Sequence, residues 1–282
     1  MIPELSFTSI AILSALLGAV ANIIARTLLR DLRSQDILGI NFLTMGATLL
    51  LISPLFYSFQ PSILVIGLVI LIGVIDTVAN YFYFKTFEKT EASIATPLLS
   101  LAPGFTFFFA WLALGEASSW HTYLIATAII GLTVYVSTNF SQLKSFQAQT
   151  LIPALVASVL FGISAIPAKY LLDTLHAVNA PTLYMFRAGF ISLFTLLLFG
   201  FPLLRITTQQ YRVIFFRGLI VISQLVLLYF ALSRGSAGVT LTLGNITPIF
   251  VFFLSVLFLK ERPTPKKVIA ALCIFALSLV IT

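Results

Sequence analysis

The chain has few charged residues and almost none of the side chains from which metal centres and nucleophilic active sites are built. Only 9% of its 282 residues are charged, two are histidines, and Cys273 is the single cysteine. One cysteine excludes a disulfide within the chain. No phosphate loop, nucleophile elbow, zinc-ligand spacing or paired-carboxylate motif occurs. The sequence therefore predicts neither an enzyme nor a protein that holds a metal or a cofactor.

Long apolar runs make up most of the sequence. Hydrophobic residues account for 60% of the chain, which is more apolar surface than a soluble domain of this length can bury. The 16 basic residues outnumber the nine acidic ones, but they stand singly or in small groups at the ends of apolar runs, as membrane anchors do. This distribution indicates a lipid bilayer as the partner and argues against nucleic-acid binding.

Ten apolar runs have the length of a membrane span, which is about 20 residues for a hydrocarbon core roughly 30 Å thick. The first run is expected to be a retained helix, because "MIPELSFTS" before it lacks the basic residues of a secretory signal. Continuous runs are not the alternating pattern of a strand barrel. We therefore predict an all-α membrane protein with ten transmembrane helices. The predicted spans are residues 6–25, 36–56, 62–84, 91–114, 119–138, 151–172, 178–200, 211–232, 236–259 and 264–281.

The chain repeats one pattern at an interval of 145 residues. "LSLAPGFTFFFAWLALGE" contains Pro103 and ends at Glu116, and "LGNITPIFVFFLSVLFLKE" contains Pro248 and ends at Glu261. Both glutamates are expected to cap the next helix or to pair across the turn. Five helices per copy is an odd number, so the second copy enters from the opposite membrane face. We predict two inverted five-helix repeats, residues 1–140 (the first half) and 150–282 (the second half), a construction typical of secondary transporters.

Two stretches resemble the drug/metabolite transporter superfamily, and within it the EamA-type ten-helix transporters. They are "TPLLSLAPGFTFFFAWLALGEASSWHTYLIATAIIGLTVYV" and "VTLTLGNITPIFVFFLSVLFLKERPTPKKVIAALCIFALSLVI". Each has a proline in the fourth helix of its half, a glutamate at the end of that helix and a fifth helix rich in small residues. The resemblance implies export or exchange of small polar metabolites, such as amino acids, without ATP.

The orientation of the chain is open at this stage. The resemblance implies cytoplasmic termini. Most basic residues, however, lie in the loops after the odd-numbered helices, and the preference of basic residues for the cytoplasm then places both termini outside. We expect a multi-pass protein of a bacterial inner membrane.

Ionisable side chains within the spans are the first candidates for a substrate site, because each costs several kcal/mol in lipid unless it faces a cavity or a partner. Asp76 is the one acidic residue well inside a span, and Asn80 and Tyr83 share its helix face at spacings of four and three. We predict that Asp76 binds a substrate amine or carries a coupling proton. The structural alternative is an ion pair with Arg217 of the eighth helix, at similar depth.

Arg187, one turn after Tyr184, is the deepest basic residue, and its guanidinium suits a carboxylate or a phosphate. Its structural alternative is a pair with Asp76. Lys169, near the end of the sixth helix, is interpreted either as a gate or substrate ligand or as a side chain that snorkels to the headgroups. The remaining predicted substrate-binding residues are Asn22, Ser100, Gln224 and Asn245.

These residues favour a secondary transporter that moves a small polar metabolite by alternating access through a cavity at the membrane midplane. Its coupling partner would be a proton or a counter-substrate, and the protein would act as a monomer or a homodimer. One alternative is an antiporter of phosphorylated or nucleotide-linked anions that uses Arg187, Lys169 and Arg217. Another is multidrug or organic-cation efflux at Asp76. A structural scaffold fits less well, because it has no use for charges buried in the spans. A membrane-embedded lipid enzyme also fits less well, because the spans hold only one acid.

Overall fold

The computed structural model describes residues 6–29, 31–89, 99, 101–137, 148–200, 206–259 and 265–281. Within these ranges the regular structure is helical, apart from one isolated bridge between Phe59 and Val178. The predicted site residue Ser100 and the repeat glutamate Glu261 lie outside the described residues.

The described residues of the first half form five α-helices, of which the first begins at a polar cap and the fourth ends at a glycine. The side chain of Ser6 accepts a hydrogen bond from the Ser9 backbone N–H at the first of them. Gly115 follows the fourth with a φ of 66°, a conformation that glycine adopts without steric cost. The helices are α1 (Phe7–Leu28), α2 (Ser34–Ile52), α3 (Ile63–Lys89), α4 (Ala102–Leu114) and α5 (Trp120–Ser137).

The second half contributes the remaining helices. Its caps include the Asn179 side chain, which accepts from the Thr182 N–H, and a capping box formed by Thr207 and Gln210. The helices are α6 (Ala148–Lys169), which continues into a π-helical turn (Tyr170–Thr174), α7 (Ala180–Phe199), α8 (Thr208–Leu232), α9 (Ala237–Gly244), α10 (Thr247–Leu259) and α11 (Pro265–Val280).

Length and composition of the described helices agree with ten membrane spans. Six of them, α1, α2, α3, α6, α7 and α8, are long and apolar enough to cross a membrane. Four shorter apolar stretches, at 102–114, 120–133, 237–251 and 268–277, occupy the places of the fourth, fifth, ninth and tenth spans. The predicted all-α membrane fold is confirmed.

The ninth predicted span is not one continuous helix. It is broken into α9 and α10, with Asn245 and Ile246 in a turn between them. Pro248 stands in the first turn of α10 and cannot donate a backbone hydrogen bond to the preceding turn, which explains why the helix restarts here. Pro103 has the corresponding place in the first turn of α4.

Contacts between the halves follow a two-fold pattern. Helix α3 packs against α6 and α7 of the second half, just as α8 packs against α1 and α2 of the first. The equivalent helices α2 and α7 pack on each other, and so do α5 and α11. Such reciprocal contacts are what a two-fold axis between repeats generates. With five spans in each half, this axis lies in the membrane plane, so the two repeats are inverted as predicted.

Small residues let the central helices approach one another closely. A Cβ added to Gly46 of α2 would lie 3.3 Å from the backbone nitrogen of Gly189 in α7. A Cβ on Gly73 of α3 would lie 2.5 Å from the Cβ of Phe190 in α7. Close backbone approach at small residues is the usual way in which helices associate in lipid. It holds α2, α3 and α7 tightly around the polar centre of the molecule.

Hydrogen bonds between the two halves also form at the membrane face that carries the α2–α3 and α6–α7 connections. The Gln60 N–H donates to the Ala177 carbonyl at 2.8 Å. The Glu116 carboxylate accepts from the Ala237 N–H at 2.8 Å. The prediction for Glu116 was therefore wrong in its partner: this residue caps α9 of the other half, because the turn after α4 directs its side chain across the interface.

Candidate substrate-binding site

A polar cavity lies between the two halves, in an otherwise apolar bundle. Its volume is about 220 Å³, which is room for several water molecules at about 30 Å³ each. Helices α1 to α4 of the first half and α6 to α10 of the second half contribute to its wall. The polar and ionisable residues that line it are Asn22, Asn41, Asp76, Asn80, Tyr83, Ser164, Arg187, Arg217, Gln224, Tyr229, Asn245 and Thr247.

An ion pair joins the halves at this cavity. Nε of Arg187, on α7, donates to Oδ2 of Asp76, on α3, and both side chains are buried. The alternative pairing of Asp76 with Arg217 is not formed. Asn80 does not bond to the carboxylate either, because its amide donates to the backbone carbonyl of Asp76 at 2.8 Å. The second carboxylate oxygen, Oδ1, is buried and has no hydrogen-bond partner among the described residues.

Arg217, on α8, is held by neutral groups. Its Nε donates to the Ala21 carbonyl at 3.1 Å, and its Nη1 donates to Oδ1 of Asn41 at 2.7 Å. The guanidinium also lies over the ring of Phe84, with its carbon 5.5 Å from the ring centroid. The residue is only 4% exposed, and no carboxylate of the described chain contacts it.

Tyrosines connect the charged groups to the surrounding helices. The Tyr83 hydroxyl donates to Oδ1 of Asn22 at 2.6 Å, which links α3 to α1 beside the cavity. Tyr184 is fully buried and does not line the cavity. Its hydroxyl contacts Sδ of Met45 at 3.3 Å, its ring lies 5.6 Å from the guanidinium carbon of Arg187, and it packs edge-on against Tyr229. Tyr184 therefore does not reach the cavity and instead helps to position Arg187, which does.

The broken ninth span forms another part of the cavity wall. The Asn245 side-chain amide donates to the Leu241 carbonyl at 3.0 Å and so binds a carbonyl at the end of α9. The Thr247 hydroxyl contacts the Ala15 carbonyl at 3.2 Å across the interface. Gln224 lies against Gly18 of α1, where an added Cβ would be 2.9 Å from the Gln224 amide nitrogen. Helix α1 thus fits closely against α8 and α10 at this point.

Lys169 lies away from the cavity. Its ammonium donates to the Gly235 carbonyl at 2.8 Å and pairs with Asp173, also at 2.8 Å. The side chain is buried, so it does not extend freely to the headgroups as the snorkelling interpretation expects. Lys169 instead ties the end of α6 to the turn between α8 and α9.

Four of the polar lining residues were not predicted from the sequence: Asn41, Ser164, Tyr229 and Thr247. Asn41 had a usable signal, because it is an amide in the apolar run of the second helix, as Asn22 is in the first. Ser164, Tyr229 and Thr247 had none, since isolated hydroxyls are common in membrane helices and bond to their own helix or a neighbour. No group of three metal-ligating side chains is found in the part of the chain that the structure describes.

Comparison with known proteins gives one family and one fold. The model of the EamA-like transporter family matches residues 6–138 and 149–282. A crystal structure of another protein aligns with a TM-score of 0.78, covering 98% of this chain and 97% of that chain at 15% identity. At this identity the alignment shows a shared fold alone. No curated protein sequence gives a significant match.

Proposed function

The chain belongs to the EamA-like transporter family, and from this premise we propose that it is a secondary active transporter. It exports or exchanges a small polar metabolite, an amino acid or a similar molecule, by alternating access. Family membership makes it an integral membrane transporter with a small-molecule substrate. Beyond family membership, we propose the class of that substrate and the transport mechanism.

One observation carries the proposal: ionisable side chains surround a cavity at the interface between inverted repeats. Asp76, Arg187 and Arg217 all line it, although each costs several kcal/mol to bury in lipid. A scaffold gains nothing from this cost, whereas a carrier needs charged groups where its substrate leaves water. Secondary transporters built from inverted repeats place their sites in this position.

Alternating access follows from the two-fold arrangement. The spans that surround the cavity, α3, α4, α8 and the broken α9–α10 pair, can rock against the rest of the molecule about the cavity. Because the halves are related by an axis in the membrane plane, equivalent movements open the cavity to opposite faces. The contacts of Gln60 and Glu116 with the second half must break for the cavity to open to their face.

Asp76 provides a means of coupling. Its Oδ2 is occupied by Arg187, and its Oδ1 lacks a hydrogen-bond partner among the described residues. Since a buried acceptor without a donor is costly, a substrate ammonium or a proton at Oδ1 stabilises the loaded state. Organic-cation efflux is less well supported, because the described cavity lining holds two guanidinium groups and one carboxylate, which disfavours a substrate that carries positive charge alone.

A binding screen followed by a transport assay tests the proposal. Purified protein is screened by thermal shift against amino acids, sugar phosphates, nucleotides and organic cations, because a ligand that binds the folded state raises Tm. The best hit is then assayed for counterflow into proteoliposomes. We expect at least one small polar metabolite to stabilise the protein and to be exchanged, and we expect Arg187→Ala and Asp76→Asn to abolish both effects.

The exposed acid Asp31 supplies the matched control. Asp31→Asn removes the same charge outside the cavity and should leave exchange unchanged. The proposal is wrong if no compound is exchanged, and its site is wrong if Arg187→Ala and Asp76→Asn keep the full thermal shift.

A further inference from the structure

Two polar pairs that differ in charge join the halves at the cavity. Asp76 of α3 contacts Arg187 of α7, and Arg217 of α8 contacts Asn41 of α2. The two-fold relation takes α3 and α7 to α8 and α2, but the pairs are not equivalent residue by residue, because at the interval of 145 residues Asp76 corresponds to Val221. One pair is an acid with a base, and the other is a base with an amide.

This difference leaves the cavity with a net positive charge. Its described lining contains one carboxylate, Asp76, and two guanidinium groups, Arg187 and Arg217. Arg187 is neutralised by its contact with Asp76, whereas the hydrogen-bond partners of Arg217 in the described part of the chain are an amide oxygen and a backbone carbonyl. A buried cation without a counter-charge is among the most costly arrangements in a protein interior.

The contacts around Arg217 leave some of its guanidinium N–H groups free to donate to a ligand. A guanidinium has five N–H groups, and the structure pairs Nε with the Ala21 carbonyl and one N–H of Nη1 with Asn41. The ring of Phe84 covers one face of the group. These contacts fix the plane of the guanidinium, so its remaining N–H groups stand in a set orientation at the cavity. A planar oxyanion accepts a guanidinium through two parallel hydrogen bonds.

We propose that Arg217 is the ligand for an anionic oxygen group, a carboxylate or a phosphate, of the transported molecule. Asn41 and the Ala21 carbonyl hold the guanidinium in place, and the Asp76–Arg187 pair is the charge-neutral counterpart on the other side of the cavity. The inference rests on the proposed transport function and gives that function a substrate class. It excludes substrates that lack an anionic group.

A substitution at Asn41 tests this without removing the guanidinium. Oδ1 of Asn41 lies 2.7 Å from Nη1 of Arg217, so Asn41→Asp places a carboxylate oxygen in direct contact with the cation. The new ion pair supplies the missing counter-charge, and we expect the variant to fold with an unchanged or higher Tm. The same pair competes with the substrate, so affinity for anions should fall by at least about tenfold, in line with a lost charge-assisted hydrogen bond.

The experiment compares three proteins in delipidated detergent solution: wild type, Asn41→Asp, and Arg212→Gln as the control. Arg212 is exposed on the same helix as Arg217, so its loss changes the net charge of the protein but not the cavity. The probes are acetate, succinate and glutamate for carboxylates, inorganic phosphate and glycerol phosphate for phosphates, choline for cations, and a short-chain phosphatidylglycerol for lipid headgroups. Thermal shift gives affinity, and counterflow in proteoliposomes gives transport.

The expected result is that carboxylates or phosphates stabilise wild type and Arg212→Gln equally and stabilise Asn41→Asp at least about tenfold less well. The carboxylate and phosphate arms show which anion is bound. Equal anion binding by a folded Asn41→Asp variant overturns the inference, and so does stabilisation by the lipid alone. If choline is exchanged and no anion is, the inference fails while the transporter proposal stands. If wild type exchanges none of these small molecules, both fail.

Discussion

At the scale of single residues, the buried charges of this protein have different surroundings. A charge that is removed from water and left without a counter-charge costs several kcal/mol. The charges of Asp76 and Arg187 offset each other, because the two side chains are in direct contact. Among the described residues, Arg217 donates hydrogen bonds to neutral oxygen atoms alone. The ion pair therefore needs no ligand for charge balance, whereas Arg217, by our proposal, gains its counter-charge from the substrate.

The mutual dependence of Asp76 and Arg187 leads to a prediction about stability. Asp76→Asn leaves Arg187 as a buried cation without a counter-charge, and Arg187→Gln leaves the carboxylate alone. Removing one partner of a buried pair costs about 3–5 kcal/mol, so each single variant should have a clearly lower Tm. The double variant removes both charges and should recover most of the loss, because two amides can hydrogen-bond to each other. Thermal unfolding of the four proteins in detergent measures this cycle.

Transport measurements on the same four proteins separate stability from function. The double variant should remain inactive in counterflow although its Tm recovers, because the two charges of the Asp76–Arg187 pair, which the transport proposal requires, are gone. A double variant as unstable as the sum of its two single variants would contradict the ion pair seen in the structure.

The sequence predicted which residues carry charge inside the membrane, but not how they are paired. Asp76, Arg187 and Arg217 all stand out in apolar runs, and all three line the cavity. Counting residues gives their depth, and depth alone also permits a contact between Asp76 and Arg217. The rotation of each helix about its axis decides the partner, and in this apolar chain no amphipathic pattern fixes that rotation.

At the scale of helices, the close contact of α3 with α7 holds the ion pair together. Gly73 lies three residues before Asp76, and Phe190 lies three residues after Arg187. A Cβ on Gly73 would lie 2.5 Å from the Cβ of Phe190, an atom bonded directly to the backbone that no side-chain rotation moves away. The two helices can therefore pack at this distance only with glycine at position 73.

We predict that Gly73→Ala destabilises the protein and weakens transport. The added methyl group forces α3 and α7 apart, and overpacking of this kind costs about 1–3 kcal/mol. Gly67 is the matched control, because it lies on the same helix and an added Cβ there meets nothing within 4 Å. Gly67→Ala should keep or slightly raise Tm, since alanine favours a helix more than glycine does. Thermal unfolding and counterflow rates are the measurements, and equal effects of the two substitutions would contradict the proposed packing.

Helix positions were largely predictable, but the sequence left open whether the proline in the ninth span kinks the helix or breaks it. Apolar runs of about 20 residues located the spans because the membrane sets their length. The break in the ninth span depends on Asn245 and Ile246 leaving the helix just before Pro248. A proline within a membrane helix signals either a kink or a break, and the surrounding helices decide between them.

At the scale of the whole molecule, the two-fold relation between the halves is the basis of the account. It was predictable, because an interval of 145 residues and an odd number of spans together imply inversion. The difference between the two halves within the cavity was not predictable, since it depends on Asn41 standing beside Arg217. In the transport that we propose, the symmetry gives two equivalent ways of opening, and the asymmetry of the cavity lining gives the selectivity.

The most direct test of the account is the accessibility of the cavity from each side of the membrane. Ser164 lines the cavity, and Ser164→Cys is nearly isosteric. In a Cys273→Ser background it places one thiol there. Val74→Cys is the control, because Val74 lies on the outer surface of α3, near the level of Asp76.

A membrane-impermeant maleimide is applied to right-side-out and to inside-out vesicles. We predict that it labels Ser164→Cys from both sides, more slowly when substrate is bound, and labels Val74→Cys from neither. Labelling of Ser164→Cys from only one side, or from neither, would contradict a cavity that opens alternately to the two faces.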